Sequence, residues 1–512
     1  MEKKTVVAED DRDPYGHPRV PYRGHYDRRR CDLRRGWVER FASCSLEHVG
    51  GWWDGEGEDD SRSCFGLKGN IENPIGLAKI PLAAAGPLLV RGRNVNGYVL
   101  VPCATTEGAL VASITRGAAA LTRAGGVFTL PSEKYMNRAP CFVCRNAAES
   151  EQVWQWLVKH KENLQEQVRQ YSQHTVLESL MPFRQGRTLV VRFNFTTGDA
   201  SGQNMVTTAT WHVCKWALEQ IKKDLPDVCV TDFIVESSAS GDKQSAASML
   251  VLPRGVHVQA EAWIPESVLQ STLKVDLQAF LATYNRMQEG QVQLGALGST
   301  INVGNLLAAV FIATGQDPAS ITECAHGLLI VRPATKQEIE TQGMTRGDPR
   351  VGVGEGVTYS GVYASLILPG LVIGTVGGGT QLATQKECLS MMGCYGKDGV
   401  FRLAEIIAGF ALGLDLSLIS AIASGQFATA HEKLGRNRPT SGLREEHLVP
   451  QLFQDIVGER GTVENWTSFG VNTGNSILSE LTKRELSKKV GHFGFKVTYR
   501  TRDASPDRLQ WS

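Results

Sequence analysis

Neither sign of charge dominates this chain: 54 lysines and arginines face 53 aspartates and glutamates, a formal net charge of +1 over 512 residues. That balance leaves no electrostatic footprint for nucleic acid, and no basic stripe with interleaved aromatics supplies one locally. The opening residues 1–30 are rich in Asp, Arg and Lys and hold no apolar stretch, so no signal peptide is expected there. Long apolar runs are also scarce. Residues 362–376 are broken by Pro369 and Gly370, and residues 406–422 contain Asp415 together with glycines and serines. Neither reaches the ~20 residues of a spanning helix, so both are expected in a buried core and no membrane span is expected. Eleven cysteines in so long a chain do not make a disulfide framework, and Cys141-x-x-Cys144 has no matching second pair. That argues against zinc, or any other metal, and for a reduced, cytoplasmic compartment. No Gly-x-Gly-x-x-Gly occurs, so a Rossmann domain is not supported.

What is present reads as an ordinary globular composition, 42% hydrophobic and 21% charged, in a chain long enough for two or three domains. Residues 1–35 form a charged tail, 36–49 a short amphipathic helix, and 50–63 an acidic, glycine-rich connector. Strand character begins at Leu77-Ala-Lys-Ile-Pro-Leu and recurs at Leu88-Leu-Val-Arg and Tyr98-Val-Leu-Val-Pro. Residues 109–124 are alanine-rich and end at Gly125-Gly126, which predicts a helix of small side chains buried on all sides. From 140 the pattern changes to a strand at Cys141-Phe-Val-Cys, a polar helix over 149–171, a strand from Thr188, a helix over 204–225 and a strand from Cys229. This β-α-β-α-β order predicts a compact α+β insert of about a hundred residues.

Four phrases place an ionisable side chain in segments otherwise poor in charge: Glu107 in Ala104-Thr-Thr-Glu-Gly108, Lys243 after Gly241-Asp242, Asp317 in Gly315-Gln-Asp-Pro318, and His431 after Thr429-Ala430. A carboxyl group, an ammonium, a second carboxylate and an imidazole suffice to polarise a carbonyl, stabilise its oxyanion and protonate a leaving group. Each also has an ordinary structural use. The helix macrodipole favours a glutamate at a helix N-terminus, and an aspartate before proline commonly caps a turn.

The phrases Glu72-Asn-Pro-Ile-Gly76, Ala85-Gly-Pro-Leu-Leu89, Ala104-Thr-Thr-Glu-Gly108, Thr197-Gly-Asp-Ala200, Gly241-Asp-Lys243, Gly315-Gln-Asp317 and Gly374-Thr-Val-Gly-Gly-Gly-Thr380 stand in this order. So arranged, they resemble the 3-hydroxy-3-methylglutaryl-coenzyme A (HMG-CoA) reductase family of eukaryotes and archaea, over about residues 36–436. The resemblance implies an α+β fold: a large domain around a central helix (76–139 plus 247–436), with a small ferredoxin-like α+β domain and catalytic loop inserted at 140–246. Flanking these are 1–75, an N-terminal tail with a small helical segment, and 437–512, a C-terminal extension of unknown role. It implies NADPH-dependent conversion of HMG-CoA to mevalonate and CoA by two hydride transfers, with NADH not excluded as cofactor. It also implies a homodimer or dimer of dimers, with sites between monomers.

Carried over residue by residue, the resemblance makes Glu107 the proton donor, Lys243 the oxyanion partner, Asp317 the group tuning both, and His431 the acid for the departing thiolate. Arg138 and Arg286 match residues that hold the HMG carboxylate. Ser113 and Arg116 match CoA contacts, and Asp242, Gln244 and Asn305 complete the substrate set. Asp199, Ser201, Gly202, Gln203 and Asn204 match one nucleotide-binding loop, and Gly377, Gly378, Gly379 and Thr380 another. The chain departs from the family pattern at Gln244, where a second lysine is usual, in the loop Asp199-Ala-Ser-Gly-Gln-Asn204, in the short stretch 298–305, at Ala430, and at Gln173. A divergent reductase of another acyl-CoA, or a non-catalytic binding homologue, would share most of these features.

Overall fold

A computed structural model describes residues 21–22, 27–42, 67, 69–341 and 359–428, and the backbone of three strands beyond them. The chain divides into two compact units, Met1–Leu434 and Gly435–Ser512.

In the first unit, helix α1 (Arg28–Ala42) precedes an antiparallel hairpin of β1 (Leu82–Gly92) and β2 (Asn96–Ala104). Helix α2 (Leu110–Arg123) leads to β3 (Val127–Arg138), which pairs parallel to β1. Then come β4 (Cys141–Cys144), α3 (Ala147–Lys159), α4 (Lys161–Tyr171), β5 (Val176–Gln185), β6 (Thr188–Thr196), α5 (Gln203–Asp224) and β7 (Val230–Ile234). Strand β8 (Gly255–Pro265) returns to pair with β3 and is followed by α6 (Glu266–Val268), α7 (Leu277–Leu294), α8 (Val303–Thr314) and α9 (Ile321–Cys324). Strand β9 (Leu328–Thr335), α10 (Lys336–Thr341), β10 (Tyr359–Leu371), α11 (Ala383–Met391) and α12 (Val400–Ala423) complete the unit. Ten strands join in one sheet. Its larger part runs β2-β1-β3-β8-β10-β9, and its smaller part runs β7-β4-β6-β5, joined where Met136, Asn137 and Arg138 pair with β6. In the second unit, β11 (Gly461–Phe469), β12 (Gly494–Thr501) and β13 (Pro506–Trp511) form an antiparallel sheet.

The helix at the centre is α12, not the alanine-rich α2 as expected. It is apolar on every face and nearly all its residues are buried, against α2, α7, α8 and strands β3, β8 and β10. By length and composition α12 could cross a membrane, but 83% of its most apolar window is buried inside the protein. Helix α2 is one-sided: Leu110, Ile114, Gly117, Ala118 and Leu121 face inward. Its small residues serve one close crossing, where a Cβ on Gly117 would lie 2.0 Å from the Gly413 carbonyl oxygen of α12.

Sequence patterning located most elements before residue 235, though not β3, missed some boundaries, and assigned no individual strands or helices after 246. The helix expected over 149–171 is two helices, because His160 leaves helical geometry (φ −102°, ψ 21°) and ends one while starting the other. Residues 77–81 are not a strand, and the first helix begins at Arg28 rather than at residue 36. The strand β5 was not expected at all. It pairs only with β6, at an edge, and its exposed polar residues break the alternation that marks a half-buried strand. Strand β10 and helix α12 occupy the two apolar runs, both in the core.

One buried acid secures the β1–β2 turn. Glu405 of α12, fully buried, accepts from the backbone N–H groups of Arg93, Asn94 and Val95 at 3.0–3.1 Å and from Asn94 Nδ2 at 2.9 Å. Glu405→Ala would strand three backbone donors, at an expected cost of about 2–4 kcal/mol. A shift in the denaturant midpoint at unchanged slope checks it.

Candidate active site

Lysine 243 has a left-handed backbone (φ +57°) in the loop between β7 and β8, a conformation uncommon for a residue with a Cβ. Its Nζ lies 2.9 Å from Asp317 Oδ2, and both side chains remain partly open to solvent. Its backbone N–H donates to Glu323 Oε1 at 3.1 Å. The neighbouring Asp242 carboxylate is shared: one oxygen accepts from Arg254 Nη2, and the other lies 3.3 Å from Arg138 Nη1. Arg138 is itself held by Thr207 Oγ1 at 2.7 Å and the Gln203 carbonyl at 3.3 Å. Arg254 and Glu323 are buried and paired through two hydrogen bonds, at 2.6 and 2.9 Å. Burial pushes the Glu323 carboxyl upward, against the pull of Arg254 and of the Lys243 N–H.

Asp317 caps the short turn after α8 by accepting from Ala319 N at 3.0 Å. The residue before it, Gln316, is buried and clamps Gly374 at both ends of its peptide: Gly374 N–H donates to Oε1 at 2.8 Å, and Nε2 donates to Gly374 O at 2.9 Å. Gly315 meets Gly379 so closely that a Cβ would lie 2.3 Å from the Gly379 carbonyl oxygen. Gly374 in turn packs on the backbone of 199–201, and Thr375 N donates to Asp199 O at 2.8 Å. Three phrases far apart in sequence therefore meet: 197–201, 315–317 and 374–380. Gly377 and Gly378 have positive φ (+76° and +55°), and a Cβ on either would meet nothing within 4 Å. Thr380 is buried, its hydroxyl donating to Gly377 O at 2.6 Å.

The Asp199 carboxylate is already occupied. It accepts from Asp398 N at 2.9 Å and Val400 N at 3.2 Å, satisfying donors at the N-terminus of α12. Gly202, left-handed, is the N-cap of α5, and Gln203 Nε2 donates to Ser320 Oγ at 3.2 Å. Ser201 is half-buried beside Gly374, and Asn204 is exposed.

Glu107 lies apart from this ion pair. The threonines before it do not cap α2; Thr105 Oγ1 instead accepts from Glu107 N at 3.0 Å, and Ala109 occupies the cap with a left-handed backbone. Glu107 Oε1 accepts from Asn305 Nδ2 at 3.1 Å, in the first turn of α8. The two line a cleft of about 300 Å³ together with Ser113, Arg116, Asn302 and Leu418 among others. Ser113 and Arg116 are turned onto α12: the two serine hydroxyls of 113 and 417 are 2.9 Å apart, and Arg116 donates to Ser417 Oγ at 3.0 Å and Ser417 O at 2.6 Å.

Behind Asn305, the fully buried Asp415 of α12 accepts from Ile301 N at 3.0 Å and Asn302 N at 2.8 Å, at the start of α8. Burial raises its carboxyl from 3.8 to about 6, with the two N–H donors opposing. An acid with a higher pKa folded than unfolded stabilises the fold below its unfolded value and loses that contribution as pH rises. The contribution is therefore expected to fall between pH 3.8 and about 6, by about 3 kcal/mol. Unfolding free energies of wild type minus Asp415→Asn should decline across that window; a flat or rising difference refutes it.

Arg286 is exposed on α7 and Gln244 is exposed beside Lys243; the structure joins neither to the other site residues. His431 and Ala430 lie outside the described residues.

Residues 30–436 match the family model described as hydroxymethylglutaryl-coenzyme A reductase. The chain belongs to this family. Among curated relatives, the 3-hydroxy-3-methylglutaryl-coenzyme A reductase of Pyrococcus abyssi is 38% identical over 412 residues, covering 79% of this chain and 92% of the relative. That of Methanocaldococcus jannaschii is 35% identical over 408 residues, with the same coverage. Reductase 2 of Arabidopsis thaliana is 34% identical over 377 residues, 72% of this chain and 61% of the relative. A solved class II reductase of Streptococcus pneumoniae, bound to NADPH, is similar at 16% identity and a TM-score of 0.48, over 77% of this chain and 97% of that one.

Sequence reading of this reductase-family chain passed over four residues that hold the loops in place. Arg254 and Glu323 lie in apolar or small-residue surroundings with no motif spacing, and Gln316 stands inside the Gly315-Gln-Asp317 phrase with no role of its own. The fourth is Lys134, a buried lysine in β3 that donates to Thr197 Oγ1 at 3.2 Å and to the carbonyls of Gly198 and Ala200. Burial lowers its ammonium to about 8, with Asp199 opposing. Its only sequence signal is a cation in the middle of a strand.

Proposed function

We propose that this reductase-family chain converts HMG-CoA to mevalonate and CoA, taking two hydrides from NADPH. The observation that carries the reading is the Lys243–Asp317 pair, 2.9 Å long and open to solvent, formed between two of the phrases on which the family resemblance rests. An ammonium held by a carboxylate and free on its other sides suits an oxyanion whose position shifts between two reductions. Asp317 orients that ammonium. Glu107, oriented by Asn305, holds the proton for the reduced carbonyl, and His431 protonates the departing thiolate. Arg138 receives the substrate carboxylate, while Ser113 and Arg116 meet the CoA moiety at the cleft. Arg286, Asp242 and Gln244 belong to the same substrate set.

The nucleotide supplies the hydrides. Gly377 and Gly378 fit it as bare backbone open to an approaching phosphate, and Thr380, Ser201, Gly202, Gln203 and Asn204 complete the loops that face it. Asp199 serves by holding those loops against α12. Residues 140–246 are read as a ferredoxin-like nucleotide domain inserted into the large domain of 76–139 and 247–436. Supporting this are the antiparallel strand order β7-β4-β6-β5 and the helices between β4 and β5 and between β6 and β7. We assign the working form to a cytoplasmic homodimer or dimer of dimers in a mevalonate-forming step.

The test follows loss of nicotinamide absorbance with purified protein and HMG-CoA, NADPH and NADH in parallel. Oxidation that requires HMG-CoA and yields mevalonate supports the reading and ranks the cofactors. No oxidation with either nucleotide, from folded protein, overturns it.

A further inference from the structure

Two carboxylates from one short segment hold opposite ends of Lys243. Asp317 holds the ammonium at 2.9 Å, and Glu323, six residues on, accepts from the same residue's backbone N–H at 3.1 Å. Glu323 is 3% exposed and lies on α9, where Oε1 and Oε2 also receive Nη2 and Nε of the buried Arg254. Arg254 Nη2 reaches onward to Asp242, whose second oxygen faces Arg138. The backbone that this grip fixes is left-handed, at a residue with a full side chain. Such a backbone persists only where its surroundings over-determine it, and then most often at functional sites. Stability alone is a poor account of the pair, since buried ion pairs are often no more stabilising than apolar residues of equal size.

We propose that Arg254 and Glu323 form a positioning pair for the reaction: they fix the left-handed backbone of Lys243, and with it where its ammonium points. Neither residue touches substrate; they act through Lys243, so the inference rests on the function proposed above.

The experiment measures kcat and KM for HMG-CoA-dependent NADPH oxidation in wild type, Glu323→Gln, Lys243→Arg and the double variant, with folding checked by thermal unfolding. Misplacing a reacting group by about 1 Å costs on the order of a hundredfold, so Glu323→Gln is expected to lose about tenfold to a hundredfold in kcat. KM for NADPH should stay within about twofold. In the Lys243→Arg background the same change should cost less than about threefold, because the group being positioned is already altered. A folded Glu323→Gln enzyme with wild-type kcat overturns the proposal, as does a full additive loss in the double variant. Should Glu323→Gln not fold, Glu323→Asp is the readout. It keeps the charge opposite Arg254 but draws the carboxylate back from Lys243 N, and unchanged kcat there also overturns the pair's role. Full activity in Lys243→Arg and Lys243→Ala would instead remove the function assigned to Lys243, a separate failure.

Discussion

Lys243→Ala is expected to lower kcat for HMG-CoA-dependent NADPH oxidation by about 10²- to 10³-fold, the range seen when one oxyanion donor is removed. The KM for NADPH should change by less than about twofold, since the lost interaction belongs to the reacting carbonyl. Stability should hardly move. The Lys243 and Asp317 side chains are 44% and 38% exposed, and an ion pair that open adds little to folding. Activity and stability should therefore separate in this variant. Arginine should not restore it, because a planar, forked guanidinium cannot follow an oxyanion as a compact ammonium does. Steady-state kinetics beside a thermal melt decide the matter. A folded Lys243→Ala enzyme retaining a large part of wild-type kcat would remove this residue from the chemistry.

Gly117→Ala should be strongly damaging to the fold. A Cβ there would stand 2.0 Å from the Gly413 carbonyl oxygen and 2.3 Å from its carbonyl carbon. Both atoms are backbone of the central helix, so no rotamer change relieves the clash; α12 itself would have to retreat from α2. Overpacking of this kind costs about 3 kcal/mol or more where backbone must shift. The same helix pair carries Ser113, Arg116 and Ser417, so separating the helices would also loosen the cleft and raise KM for HMG-CoA. Gly290→Ala is the control. It lies within α7 with nothing within 4 Å of its Cβ position, and alanine there should add about 0.5–1 kcal/mol. Denaturant midpoints of the two variants should move in opposite directions. Equal shifts would mean that the α2–α12 crossing is not as close as it stands.

What the sequence determined by itself is the family and the inventory: ordered phrases carrying Glu107, Lys243 and Asp317, the apolar runs that became β10 and α12, and the strands and helices of the insert. These are local properties, readable from side-chain period, capping residues and motif order. Even there, edge strand β5 shows no clear sequence pattern because one-sided pairing requires no strong alternation, and the small residues of α2 suit a central helix because they do not say how many faces they bury.

Only the tertiary structure decided which groups meet. Asp199 reads as a ligand residue but caps α12, since the carboxylate finds two backbone donors about two hundred positions later in the chain. Arg254 and Glu323 show no motif, yet their pairing holds Lys243 in a backbone it would not adopt alone. Gln316 stands inside a motif phrase with no role of its own in sequence, but its amide ties the Asp317 loop to the glycine-rich one. Burial explains the difference. A polar group taken out of water must be matched by another, and its partner is chosen by how the chain packs rather than by what lies beside it in sequence.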